Sequence, residues 1–150
     1  MDRSPQFKIK RVGWNEAGDL LRAVRKTVFV DEQSVPAELE WDGRDERCIH
    51  VLAETPAGDA IGTGRLLPDG HIGRMAVLRH WRGKGVGSAL LEELVAVARE
   101  QGFDRVELSA QTHAIDFYAR FDFEAVGDEY MDAGIPHRAM RLALVKPKRG

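Results

Sequence analysis

A single cysteine, Cys48, is the only thiol in the chain, so no internal disulfide can form. The sequence identifies no partner base for it, and Cys48 reads as a buried, inert residue rather than a nucleophile. No apolar run is long enough to span a bilayer, which excludes a membrane role by helices. The N-terminus MDRSPQFKIK lacks the apolar segment of a secretory signal, so a cytoplasmic protein is expected. Neither sign of charge dominates: the net charge is −2, and basic residues cluster only in the tail KPKRG. Nucleic acid is therefore not the expected partner. The three tryptophans, Trp14, Trp41 and Trp81, lack the interleaved basic spacing of a single-strand binder and are expected to anchor packing or loops. No His, Cys, Asp or Glu cluster has metal-ligand spacing, and no metal is expected.

What is present suits one globular domain over residues 1–150, with 43% hydrophobic and 31% charged residues. FKIKRV alternates like a half-buried strand. From Asn15, a candidate N-cap, residues 16–30 place Leu20, Leu21, Val24 and Val28 on one helical face. Residues 31–47 are acidic and carry Pro36 and Gly43, which predicts a long loop or short helical turns. CIHVLAE, AIGTGRLL and HIGRMAVL follow as three short strands separated by turn signals, an antiparallel meander. A helix is predicted over 85–101, with Leu90, Leu91, Leu94, Val95 and Ala98 inward and Gly102 as its stop. FDRVELSA reads as a strand, AIDFYARF as a short helix, and FEAVGDEYM with HRAMRLALV as a closing hairpin. The expected fold is α/β of the α+β type: a mixed, mostly antiparallel sheet with one strand-helix-strand crossover.

The stretch RGKGVGSALLEEL starts a strong helix immediately after Gly83, Gly85 and Gly87. The first N–H groups of a helix have no intrahelical acceptor, and the helix dipole adds about half a positive charge there. Glycines let a phosphate approach such a backbone, and Arg82 and Lys84 add cationic side chains nearby. The segment therefore reads as a diphosphate cradle formed by Arg82, Gly83, Lys84, Gly85, Val86, Gly87 and Ser88. A Walker pattern is missing, and Ser88 stands where a dinucleotide fingerprint would place its third glycine.

MAVLRHWRGKGVGSALLEEL resembles the acyl-CoA-binding motif of the GNAT superfamily of N-acyltransferases: Gln or Arg, two residues, Gly, one residue, then Gly or Ala. Arg82, Gly85 and Gly87 match it. Downstream, AIDFYARFDFEAVG is similar to the family's recurring aromatic segment, with Phe117, Tyr118 and Phe123 in register and Asp122 where glycine is usual. VFVDEQSVPAELEWD and AGIPH further resemble the small bacterial ElaA-like branch. The resemblance implies a V-splayed sheet and acetyl-CoA as co-substrate. It also implies that the pantetheine chain bonds to the backbone of Met75, Ala76 and Val77, and that Tyr118 is the general acid for the departing thiolate.

Transfer to an amine raises two proton problems. Deprotonating an amine with a pKa near 10.4 costs roughly 4 to 5 kcal/mol at neutral pH, so a base or a desolvating site must help. Glu32, Asp132 and His137 are the candidates; His50 and His113 are expected to be structural. A phenol at about pKa 10 protonates a thiolate at about 8.5 with a cost of only about 2 kcal/mol. The expected reaction is direct attack by a primary amine of a small molecule or peptide, without an acyl-enzyme. A CoA-binding sensor or structural subunit without catalysis is the alternative, and a nucleotide-dependent enzyme is a third reading. The acidic loop 31–47 hints at a cationic acceptor. A homodimer is the commonest assembly for such a chain.

Overall fold

The computed structural model describes residues 6–144. The basic tail and the last residue of the predicted closing strand, Val145, lie outside them. Seven strands form one sheet: β1 (Lys8–Val12), β2 (Ile49–Glu54), β3 (Ala60–Leu66), β4 (His71–Val77), β5 (Arg105–Gln111), β6 (Glu124–Asp132) and β7 (Ile135–Ala143). Their order is β1-β2-β3-β4-β5-β7-β6. Only β4 and β5 run parallel, joined by the crossover helix α3 (Val86–Glu100). The remaining pairs are antiparallel, as the meander and hairpin signals predict.

Helices cover both faces of the β2–β4 region, so β2 and β3 are buried almost throughout rather than alternating. Leu90, Leu91, Leu94 and Ala98 of α3 pack on Val51, Ile61, Val106 and Leu108, the main core. Val95 is partly buried at its edge. Gly62 and Gly64 of β3 admit this helix closely: a Cβ on either would meet Leu90 or Leu94 at 2.9 and 2.8 Å. On the opposite face, α1 (Trp14–Arg25) sets Leu21 against Leu52, and its Val24, with Val28 just beyond the helix, packs against Ala76.

Three details of the first helix depart from the sequence expectation. Gly13 rather than Asn15 is the N-cap of α1, because the Glu16 carboxylate reaches back to accept the Gly13 N–H at 3.2 Å. Leu20 is 42% exposed, since the buried stripe runs through Ala17, Leu21, Val24 and Val28, one position away. The expected helix to Val30 is α-helical only to Arg25; Lys26–Glu32 is wound as a π-helix. There Thr27 Oγ1 donates to the Ala23 carbonyl at 3.0 Å, the acceptor an α-helical Thr27 N–H would use. The acidic loop contains a short helix, α2 (Ala37–Glu40), and one turn at Asp45–Arg47.

The β4–β5 ladder is short. Only His71 and Ile72 pair with Glu107 and Leu108. Beyond them the strands part, giving the expected splay. The register of β3 with β4 also shifts here, and Arg74 adopts a left-handed φ of 51° while its carbonyl accepts the Thr63 hydroxyl at 3.1 Å. After β5, a turn leads into α4 (Ile115–Ala119). β7 starts two residues before the expected His137, because Ala133 and Gly134, at φ 52° and 77°, close a two-residue turn.

Candidate functional site

The glycine turn follows β4 and starts α3. Gly83 and Gly85 have φ of 75° and 86°, and a Cβ on either would face open space. The first helical bond runs from Ala89 N–H to the Gly85 carbonyl at 3.1 Å. Among the described residues, the backbone N–H groups of Gly83 to Ser88 find no backbone acceptor. Gly87 differs from its two neighbours: it lies inside the helix, and a Cβ there would face Phe117 and Val77. The Phe117 ring of α4 packs over it at an ordinary contact distance.

The two cations expected beside this turn are engaged with the protein. Arg82 donates to both Glu32 oxygens at 2.6 and 2.8 Å, and its Nε donates to the Val77 carbonyl at 2.9 Å. Its charge is therefore balanced locally. The same contact holds the Glu32 carboxyl below the usual range and raises the Arg82 guanidinium above its own. Lys84 Nζ stands 5.4 Å from the Trp81 ring centroid, a cation–π contact.

Met75, Ala76 and Val77 form the end of β4 beyond the splay, where no ladder joins them to β5. Tyr118 lies on α4, which the Phe117 ring brings against Gly87. The Tyr118 ring packs edge-on against Phe117 and Phe123. Burial pushes its phenol up to about 12. Against a thiol at about 8.5, proton transfer is then uphill by more than the about 2 kcal/mol of unperturbed groups. A thiolate in the same dry setting is destabilised too, which narrows the gap. Asp122 adopts a φ of 71°, so it fills the left-handed position that glycine usually takes.

His137 is buried on β7, directly opposite Gln111 of β5. Its Nδ1 lies 2.7 Å from the Ile135 carbonyl, which can only accept, so Nδ1 carries the proton. In the neutral ring Nε2 keeps its lone pair. The ring stacks on Tyr130 at 6.0 Å, and Tyr130 in turn contacts the Ser109 hydroxyl. Asp132 shares this face but is exposed at the hairpin end, opposite Ile135. Glu32 thus sits by the glycine turn, His137 by the end of β5, and Asp132 further out.

Three acids of the loop, Glu40, Asp42 and Asp45, are paired within the protein. Arg25 Nη1 meets Asp45 at 2.7 Å and its Nε meets Glu40; Arg65 binds Asp42 and Asp45, and Arg74 binds Glu40 at 3.0 Å. Three guanidinium groups offset these three carboxylates, while Glu38 and Glu46 of the same loop are exposed. Trp14 and Trp41 stand over Arg25 at 5.5 and 5.2 Å, as anchors of this loop. Cys48 is buried beside the network, its thiol donates to the Arg44 carbonyl at 3.3 Å, and burial raises its pKa. It is a poor nucleophile. His50 is buried and donates to the Asp45 carbonyl, a structural role as expected.

A splayed parallel pair, a glycine turn on its C-terminal side and an aromatic helix beside that turn are the arrangement that a family comparison can decide. Residues 16–144 match the acetyltransferase (GNAT) domain. The chain belongs to the GNAT family. The uncharacterized N-acetyltransferase YjcF of Bacillus subtilis is 37% identical to this GNAT chain over 124 residues, covering 78% of it and 86% of the relative. An acyl-CoA N-acyltransferase from Pseudomonas aeruginosa superposes with a TM-score of 0.78 at 34% identity, covering 93% of this chain and 100% of that one. Escherichia coli ElaA superposes with a TM-score of 0.81 at 28% identity, over 90% and 98% of the two chains, in keeping with the ElaA-like branch. This GNAT chain is an acyltransferase enzyme of the acyl-CoA-dependent N-acyltransferase type.

Sequence reasoning did not single out Gln33 or Gln111 at this candidate GNAT site. Gln111 Nε2 donates to Gln33 Oε1 at 2.9 Å, a contact 78 residues apart in sequence. Glutamine carries no periodic or spacing signal, so nothing short of the fold could pair them.

Proposed function

We propose that this chain is an acetyl-CoA-dependent N-acetyltransferase acting on a primary amine of a small molecule or peptide. The observation that carries the reading is the run of unpaired N–H groups at Gly83–Ser88, at the end of a strand whose edge is open. Gly83, Lys84, Gly85, Val86, Gly87 and Ser88 bind the diphosphate, chiefly through the backbone and the positive end of α3. Arg82 shapes the turn more than it neutralises phosphate, because Glu32 holds it. Met75, Ala76 and Val77 offer a β-like edge to the pantetheine amides, and the Val77 carbonyl already accepts from Arg82. A backbone N–H on this edge polarises the thioester carbonyl.

His137 is the base best supported by geometry, since its proton is fixed on Nδ1 and Nε2 is the basic nitrogen. Glu32, doubly bonded to Arg82, is a weaker base than a free carboxylate, and Asp132 is exposed. The amine attacks the thioester carbon, the tetrahedral adduct expels the thiolate, and Tyr118 donates the proton it takes. The product is the acetamide with free coenzyme A, and direct transfer needs no protein nucleophile.

Calorimetric titration with acetyl-CoA, followed by thiol release across a panel of amines and peptides, tests the reading. Binding with turnover of at least one amine supports it. Binding without turnover of any amine, and unchanged in Tyr118→Phe, would instead identify a non-catalytic CoA-binding protein.

A further inference from the structure

Two neighbouring side chains at the end of the π-helical turn reach opposite arms of the splay. Glu32 grips Arg82, whose Nε donates to the carbonyl of Val77, the last residue of β4. Gln33 accepts from Gln111 Nε2 at 2.9 Å, and Gln111 is the last residue of β5. The two strands pair only near their beginnings, so no ladder sets the distance between these two ends.

We infer that Glu32 and Gln33 are positioning residues: together they strap the ends of β4 and β5 and set the width of the cleft between them. The inference rests on the proposed seating of acyl-CoA along β4. Two strands without shared hydrogen bonds are free to spread, and a ligand that needs both sides at one spacing gains from having that spacing fixed beforehand. The strap is itself held. Gln33 N–H bonds to the Val28 carbonyl at 3.0 Å, Val35 N–H to that of Phe29 at 2.9 Å, and Lys26 pairs with Asp31 at 3.1 Å. Both Glu32 oxygens are used on Arg82, which is the geometry of a brace rather than of a proton acceptor. Gln111 also faces His137 across β5 and β7, so the strap ends beside the proposed base.

Steady-state kinetics of the full chain with acetyl-CoA and an accepted amine, on Glu32→Ala, Glu32→Gln, Gln33→Ala, Gln111→Ala and the double Gln33→Ala/Gln111→Ala, test the strap. The expected result is a rise of about tenfold in KM for acetyl-CoA, with kcat changed much less and melting temperatures nearly unmoved. Glu32→Gln, which keeps one oxygen on Arg82, falls between wild type and Glu32→Ala and carries the test should Glu32→Ala not fold. The double variant costs no more than either single one, because both remove the same bond. The acid limb of the kcat/KM profile is kept in Glu32→Gln. KM values within about twofold of wild type, additive losses at Gln33 and Gln111, or disappearance of the acid limb would each overturn the inference. A wild-type chain that neither binds nor turns over acetyl-CoA would defeat the proposed function itself, whereas an active wild type with unaffected variants defeats only the strap.

Discussion

The Phe117 ring lies against Gly87, its Cζ 3.5 Å from where a Cβ on that glycine would sit. This contact joins the two sequence motifs, the glycine turn and the aromatic segment, at one place on the fold. It also divides the three glycines by role, since Gly83 and Gly85 take a left-handed backbone that favours glycine, whereas Gly87 is helical and has ordinary room for a Cβ.

Gly85→Ala and Gly87→Ala should therefore behave differently. Gly85→Ala forces a Cβ onto a φ of 86° and is expected to destabilise by about 1–2 kcal/mol while weakening acetyl-CoA binding. Gly87→Ala meets only ordinary contact distances and should keep both stability and binding close to wild type. Thermal melts with and without acetyl-CoA separate the two. Equal losses would show that the turn does not depend on left-handed geometry.

Tyr118→Phe keeps the ring against Phe117 and Phe123 and removes only the proton. We expect kcat to drop by about 10²-fold or more with little change in KM for acetyl-CoA, the signature of a group needed after binding. The measurement is free-thiol release under saturating co-substrate. Full turnover in this variant would remove Tyr118 from the mechanism.

Arg25 is 1% exposed and holds Glu40 and Asp45 together. Arg25→Ala leaves two carboxylates short of a partner in a dry site, and an unfolding loss of about 3–5 kcal/mol is expected in urea titrations. A loss under about 1 kcal/mol would mean that water reaches the network.

Stability should also fall with acid, starting from His50. Burial lowers the His50 pKa below its ordinary 6.5, so the unfolded chain takes up a proton first as the pH drops. The contribution is complete above about pH 6.5 and is lost as the pH falls from there toward the folded-state value. Asp42 and Asp45, whose pKa values lie below the ordinary 3.8, add a second loss below that pH. Their arginine partners, Arg65 for Asp42 and Arg25 with Arg65 for Asp45, outweigh the burial that opposes the shift. Melting temperature against pH would show the upper step, and His50→Asn should abolish it without touching the lower one.

Leu90, Leu91 and Leu94 announced α3 by their spacing, and the alternation of Val106, Leu108 and Ala110 announced β5. Gly102, at a φ of 84°, ended the helix where expected. Arg25 shows where such patterns stop. A charged residue on a surface helix reads as solvated, yet here it is buried because Glu40 and Asp45 come back to it from a loop with no period of its own. The outer end of the site fared similarly: Gln33 and Gln111 belong to different elements, and neither side chain signals a partner.

Local chemistry in the chain was enough to settle the strands, α3 and the glycine turn, because each depends on residues within a few positions of one another; it did not foresee the π-helical Lys26–Glu32. Tertiary structure alone decided that Arg82 would pair with Glu32, that Glu40 and Asp45 of the first loop would be buried against arginines, and that His137 would come to lie opposite Gln111. Those outcomes depend on which distant side chains the fold brings together: the Arg25 network in a desolvated space, where a charge is stable only beside its opposite, and the Arg82–Glu32 pair at a partly exposed turn. That condition is set by the packed sheet and helices and has no counterpart in sequence spacing.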